Sequence, residues 1–253
     1  MVAGGVVNAQ NVPSASQYKF EAASIKPSKA VDNSSRLGPG PQGGLNAVNV
    51  TTARLISFAY GVRDFQIVGA PKWVESDRFD ILATPEQAEE QPSPNMARDK
   101  LEGFIARLRQ RVQGLLSERY GLIIRPETRE MPVYSLGIAK SGHKMTPSSV
   151  DKPPSMSNGR GAMKGTAANT NMIADSLSGV LFHPVIDDTG LTGVYDLKME
   201  WTPEPPAGEP PAADATGPSI FTAIQEQLGL KLESRKAPAP VVVIEKIDRP
   251  SEN

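Results

Sequence analysis

Asp187, Asp188 and Asp196 crowd around the turn Thr189-Gly190-Leu191-Thr192-Gly193, and His183 stands just ahead of them before Pro184. Carboxylates beside an imidazole are the groups of general acid–base hydrolysis, because histidine exchanges protons near neutral pH and a carboxylate can orient it. The same oxygens could hold a cation or a sugar hydroxyl. Asp and Gly are also the ordinary residues of tight turns, and the spacing does not match a calcium loop, which needs oxygen ligands at alternate positions ending in Glu. Turn chemistry is therefore the first expectation for the aspartates and a structural role the first expectation for His183. A catalytic reading would use His183, Asp187, Asp188 and Asp196. The second histidine, His143, lies in a Ser/Pro-rich stretch that offers no held geometry. Trp73 and Trp201 are the two tryptophans. Core packing is the default for Trp near strands, while exposed rings would suit a sugar or peptide. Trp73, in Ala70-Pro71-Lys72-Trp73, is expected in a loop and is the better contact residue.

Other chemistries find no support. The chain has no cysteine, which removes disulfides, thiolate nucleophiles and Cys-ligated metal or Fe–S sites. Two histidines exclude a three-histidine metal site, although not one of one or two His with carboxylates; no metal or cofactor is expected. Nucleophile elbows, phosphate-binding loops and dinucleotide fingerprints are missing, and Glu89-Glu90 reads as solvated charge. The formal net charge of −1 gives no electrostatic case for nucleic acid. No apolar run reaches the length of a membrane span.

The elements that would position these residues fall into two similar series. A strand over 18–25, a strand over 45–50, a helix from Thr51 or Thr52 to Tyr60 stopped by Gly61, and strands over 65–68 and 78–83 come first. A long helix over 94–120 follows, with Leu101, Phe104, Ile105, Leu108, Val112, Leu115 and Leu116 on one face and Arg107, Arg109 and Arg111 largely off it. Gly121 ends it, and strands over 122–125 and 133–139 close the first half. The second half repeats the order: strand 163–168, helix 170–181, strands 185–187 and 194–201, a helix over 219–228 capped by Ser219 with Phe221, Ile224 and Leu228 inward, and strands 230–233 and 241–247. Stretches 28–44, 141–160 and 202–218, rich in Pro, Gly and Ser, read as linkers.

The halves also match in residues. Phe79-Asp80-Ile81 answers Tyr195-Asp196-Leu197, and Tyr120-Gly121-Leu122 answers Leu228-Gly229-Leu230. Gly121 to Pro132 and Gly229 to Pro240 span the same number of positions, each followed by an aliphatic strand. The expected fold class is α+β: an internally duplicated β-α-β-β-α-β-β unit with small sheets packed by helices and long Pro/Gly-rich linkers. The expected domains are a first repeat over 18–140, a linker over 141–160 and a second repeat over 161–253. Residues 1–17 are expected to be disordered, with 1–9 (MVAGGVVNA) the trimmed end of a signal peptide, since Val7-Asn8-Ala9 has small outer residues.

The segments VGAPKWVESDRFDI (68–81), PETREMPVYSLGIAKSGHKM (126–145), VIDDTGLTGVYDLKMEWTPE (185–204) and the stretch from Ser219 to Asn253 resemble an uncharacterised family of exported proteins, a domain of unknown function abundant in Acidobacteria. The resemblance covers roughly residues 18–253 and implies a secreted or periplasmic protein. Some relatives are fused to membrane-embedded metallopeptidases of antirepressor sensors. The family supplies no catalytic residues. Each half also resembles, at the level of fold, the short N-terminal domain of secretins and TonB-dependent receptors, a periplasmic protein-interaction module. The expectation is an exported binding module for an envelope protein or a small extracellular ligand. The alternative is an extracytoplasmic hydrolase using carboxylates with His183.

Overall fold

A computed structural model describes residues 18–30, 34–93, 96–203 and 217–250. The signal-peptide reading, most of the 202–218 linker and part of the 28–44 linker lie outside them. The fold is α+β. Among the described residues the strands are β1 (Phe20–Pro27), β2 (Arg36–Pro39), β3 (Leu45–Thr51), β4 (Ile67–Val68), β5 (Arg78–Pro85), β6 (Ile123–Ile138), β7 (Thr146–Pro147), β8 (Ser155–Gly159), β9 (Ala162–Ala168), β10 (Val185–Asp187), β11 (Tyr195–Glu200) and β12 (Leu230–Lys246). The helices are α1 (Thr52–Tyr60), α2 (Trp73–Ser76), α3 (Arg98–Tyr120), α4 (Thr170–Leu181) and α5 (Ile220–Ala223), the last continuing into a π-helical turn, Ile224–Leu228.

The chain divides into two compact units. Unit 1 holds the residues up to Thr128 and those from Pro240 onward; unit 2 holds Arg129–Ala239. The division therefore runs through β6 and β12, and not through residues 141–160. In unit 1 an antiparallel sheet has the order β1-β5-β3-β2. β5 alternates as its pattern demands, with Phe79, Ile81 and Ala83 buried and Leu82 outward. Helix α1 is capped by the Thr51 side chain, which accepts from the Arg54 amide, and ends on Gly61 in the left-handed region. Its Leu55 and Ile56 meet Phe104, Leu108, Val112 and Leu116 of α3 in one core.

In unit 2 the antiparallel sheet has the order β7-β11-β9-β8. Asn169 caps α4 by accepting from the Met172 amide, and Ser219 caps α5 by accepting from the Thr222 amide. Ile173, Leu177, Ile224 and Leu228 pack on Met163, Leu197 and Met199. The remaining strands carry parallel pairs in matching positions: Ile67 and Val68 of β4 with Val242 and Val243 of β12 in unit 1, Val185 and Ile186 of β10 with Tyr134 and Ser135 of β6 in unit 2.

Several sequence expectations change. β6 and β12 are each one continuous strand where two short ones were expected. Pro132, Pro238 and Pro240 fall on exposed positions of the alternation, where a missing N–H is tolerated. The stretches read as linkers contain β2, β7 and β8. Their glycines permit close backbone approach as well as turns: a Cβ on Gly44 would lie 2.0 Å from the Ala83 carbonyl oxygen. Phe221 points outward, not inward, and Leu101 in the first turn of α3 is exposed. Trp73 begins the short helix α2 and is not in a loop.

Candidate functional site

The aspartates that sequence brought together each have their own donors. Asp196 Oδ1 accepts from the Ala167 amide at 2.9 Å and Oδ2 pairs with Lys152 at 3.0 Å. The reason lies in the backbone. Ala167 has φ of +45°, and the β9–β11 register slips there, so the ladder leaves its N–H for a side chain. Unit 1 repeats the device: Asn49 has φ of +55° at a register slip in β3, and its amide donates to Asp80 Oδ1 at 2.8 Å. The Ala167 amide is the largest cause that holds the Asp196 carboxyl down at about 2, with Ser148 and then Lys152 adding to it. Asp187 closes an Asx turn, accepting from the Thr189 amide at 3.0 Å and the Thr189 hydroxyl at 2.7 Å. Asp188 accepts from Arg235 at 2.9 Å and from the Ser135 hydroxyl. The His183 Nδ1 lies 3.0 Å from the Leu181 carbonyl oxygen. No hydrogen bond joins His183 to Asp187, Asp188 or Asp196 among the described residues, and no cluster of three metal-ligating side chains occurs among them.

The tryptophans separate. Trp201 is buried in the unit 2 core at 9 % exposure, with its amide on the Gly161 carbonyl at 2.9 Å. Trp73 is half-buried against the unit 1 core, with the Arg249 guanidinium 5.3 Å over its ring. Arg249 also binds Asp77 at 3.0 Å, and this hydrogen bond lowers the Asp77 pKa.

Two groupings were not anticipated. On unit 2, Tyr134 meets His183 at 5.8 Å and Phe221 at 5.5 Å between ring centroids, both edge-on. Next to His183 in sequence, Phe182 is 71 % exposed and takes φ of +53° at the end of α4. That is the position where glycine is the usual residue. The parallel pairing of β6 with β10 sets Tyr134 opposite Val185, and the Tyr134 amide donates to the Pro184 carbonyl at 2.8 Å. The sequence signal for this face was faint: a bulky residue where a helix-ending glycine was due, followed by His-Pro.

In unit 1, Glu89 binds two arginines of α3. Its Oε2 accepts from Arg107 Nε at 3.0 Å and its Oε1 from Arg111 Nη2. Burial opposes the Glu89 charge, but the hydrogen bonds and charges of Arg111 and Arg107 hold its carboxyl below the usual range. Glu89 is thus not solvated charge, and Arg111 is not off the buried face: its side chain is 3 % exposed. Helical spacing could have found it, because seven residues from Phe104 is nearly two turns and returns to the same face. A cavity of about 460 Å³ borders this group, lined by Glu89, Phe104 and Arg107 among others. A smaller one of about 110 Å³ reaches Arg111 between β1 and α3.

Comparisons with curated proteins and with solved structures return no match. A family model matches residues 53–247, and on that match the chain belongs to a family of proteins of unknown function, DUF3738.

Proposed function

We propose that the protein is an exported interaction module whose contact face is the aromatic patch of unit 2. The observation that carries this reading is Phe182. A large apolar ring held in water costs hydrophobic free energy, and a left-handed backbone at a residue with a Cβ costs more. Glycine would relieve both, so the ring is kept for a contact that the isolated fold does not supply. Its neighbour in the chain, His183, meets Tyr134, which in turn meets Phe221, and aromatic rings are enriched in protein contact surfaces. The exposure of Phe182 suits a protein partner better than a small ligand, which binds in recesses.

Export is supported by the resemblance of the segments over residues 68–81, 126–145, 185–204 and 219–253 to a family of exported proteins. A protein-interaction role is supported by the likeness of each half to the short N-terminal domain of secretins and TonB-dependent receptors. The duplication of one unit is supported by the matching sheet orders, the paired Asp80 and Asp196 clamps and the equivalent parallel pairs. The partner on this reading is an envelope protein.

The test places a photo-crosslinking residue at position 182 or 221 in the native host, with exposed Leu82 of unit 1 as the control site, and fractionates the cells. The expected result is export and one discrete protein adduct from positions 182 and 221 but not from 82. Phe182→Gly should abolish the adduct formed from position 221 while raising stability by about 1 kcal/mol. A protein retained in the cytoplasm, adducts no different from position 82, or a destabilised Phe182→Gly variant would each defeat the reading.

A further inference from the structure

We propose that β8 of unit 2 is the strand through which two copies of the chain pair edge to edge. β8 ends its sheet, and among the described residues no strand lies on its outer side. The ladder decides which of its backbone groups point there, because successive residues of a strand turn to opposite neighbours. The Gly161 carbonyl accepts the Trp201 amide at 2.9 Å, so Gly161 faces β11. Met163 and Gly165 of β9 follow it, while Ala162, Lys164 and Thr166 face β8 and engage Gly159, Ser157 and Ser155. The N–H and C=O groups of Met156 and Asn158 are left directed outward. The equivalent edge of unit 1 is blunted. There the Gly40 amide donates to the Gly44 carbonyl at 2.8 Å, so the same alternation turns Leu37 and Pro39 of β2 outward. The Asp80 and Asp196 clamps align the two sheets and set Pro39 against Asn158. Proline has no N–H to offer a neighbour; Asn158 has one.

The outward groups of β8 are complementary to themselves. An antiparallel copy related by a two-fold axis at Ser157 sets Met156 opposite Asn158 of its mate, and each N–H then meets a C=O. The strand is held for such a contact. Met156 packs on the unit 2 core, and the Ser176 hydroxyl of α4 donates to Asn158 Oδ1 at 2.8 Å. Ser155-Met156-Ser157-Asn158-Gly159 carries none of the charges or prolines that keep edges apart, and the side chain at the axis is a small exposed serine. Lys164, opposite Ser157 on β9, would stand three strand spacings from its mate, about 14 Å, beyond the screening length of about 8 Å at physiological salt. The formal net charge of −1 adds little repulsion between whole chains. The contact uses a sheet edge, not the aromatic face, so its failure would leave the proposed function standing.

The test is sedimentation equilibrium of the full chain over a wide range of concentration. The expected result is a mass that rises from the monomer value towards twice that value. At the axis the two Ser157 side chains form a non-hydrogen-bonded pair, the closer kind, where like charges repel and opposite charges attract. Ser157→Lys alone and Ser157→Asp alone should each stay monomeric, and an equimolar mixture of the two should regain the dimer. Ser157 is exposed, so both variants should keep the urea midpoint of the monomer. Recovery in the mixture is a result that a damaged fold does not give. A parent chain that stays monomeric at every concentration, a dimer that persists in Ser157→Lys, or a mixture that stays monomeric would overturn the assignment. So would a dimer that is lost in Phe182→Gly but kept in the Ser157 variants, which would put the contact on the aromatic face.

Discussion

Single residues show how a chemical pattern in a chain becomes a structural one. Asp196 carries a charge because it must accept the amide of Ala167, whose positive φ takes it out of the ladder. Its pKa falls from an ordinary 3.8 to about 2. A depressed carboxylate stabilises the fold above its unfolded pKa and loses that contribution as pH falls through the folded value. Asp196→Asn should therefore lower the denaturation midpoint at neutral pH. The gap from the parent should be constant above about pH 4 and close towards pH 2, as read from urea unfolding across that range. Gly229 makes a different demand. It sits at φ of +64°, and a Cβ there would fall 2.1 Å from the Gly142 carbonyl oxygen. Gly229→Ala should cost about 3 kcal/mol or more, strain and overlap together, seen as a large fall in the urea midpoint.

At the scale of elements, capping and edge closure carry the predictions. Thr51, Asn169 and Ser219 each accept a backbone amide at a helix start. Alanine at any one of them should cost about 1 kcal/mol. The edge of β11 is closed in an unusual way. β7 pairs only with Tyr195 and Asp196, and farther along the Gln227 side-chain amide takes over. It accepts from the Glu200 amide at 3.0 Å and donates to the Glu200 carbonyl at 2.7 Å. One side chain thus imitates a neighbouring strand, and the π-helical turn that carries Gln227 sets it there. Gln227→Ala should cost about 1–2 kcal/mol and speed hydrogen exchange at the Glu200 amide. An unchanged exchange rate would show that another group closes the edge.

At the scale of the whole molecule, the two largest buried clusters among the described residues lie one in each unit. The cluster around Leu55, Leu108 and Leu116 and the cluster around Ile173, Leu177 and Met199 share no residue. Leu108→Ala and Leu177→Ala, both at fully buried positions, should each cost about 2–5 kcal/mol. Without shared partners, the double variant should lose the sum to within about 0.5 kcal/mol. Guanidinium unfolding of the single and double variants measures this, and a shortfall of more than about 1 kcal/mol would mean that the two sites are energetically coupled. Much of this organisation was legible in the chain. The helix spans, their caps at Thr51 and Ser219, their glycine stops and the α+β class follow from local periodicity and backbone preference. The ends of the halves were not legible, because β6 and β12 run on through prolines that a short-range reading takes as breaks.

What the sequence determined by itself is what depends on neighbours in the chain: which segments are helices and strands, where Gly61 and Gly121 end them, and which chemistries the absence of cysteine removes. Only the tertiary structure decided the partners. Asp196 reads alike as a catalytic group or a bulge clamp until Ala167, distant in sequence, is placed against it. Trp201 reads alike as contact or core until the sheet covers it. Arg111 and Glu89 read as surface charges until α3 buries them together. A side chain's type sets what it can do, but burial and the geometry of its donors set what it does, and those come from residues far apart in the chain.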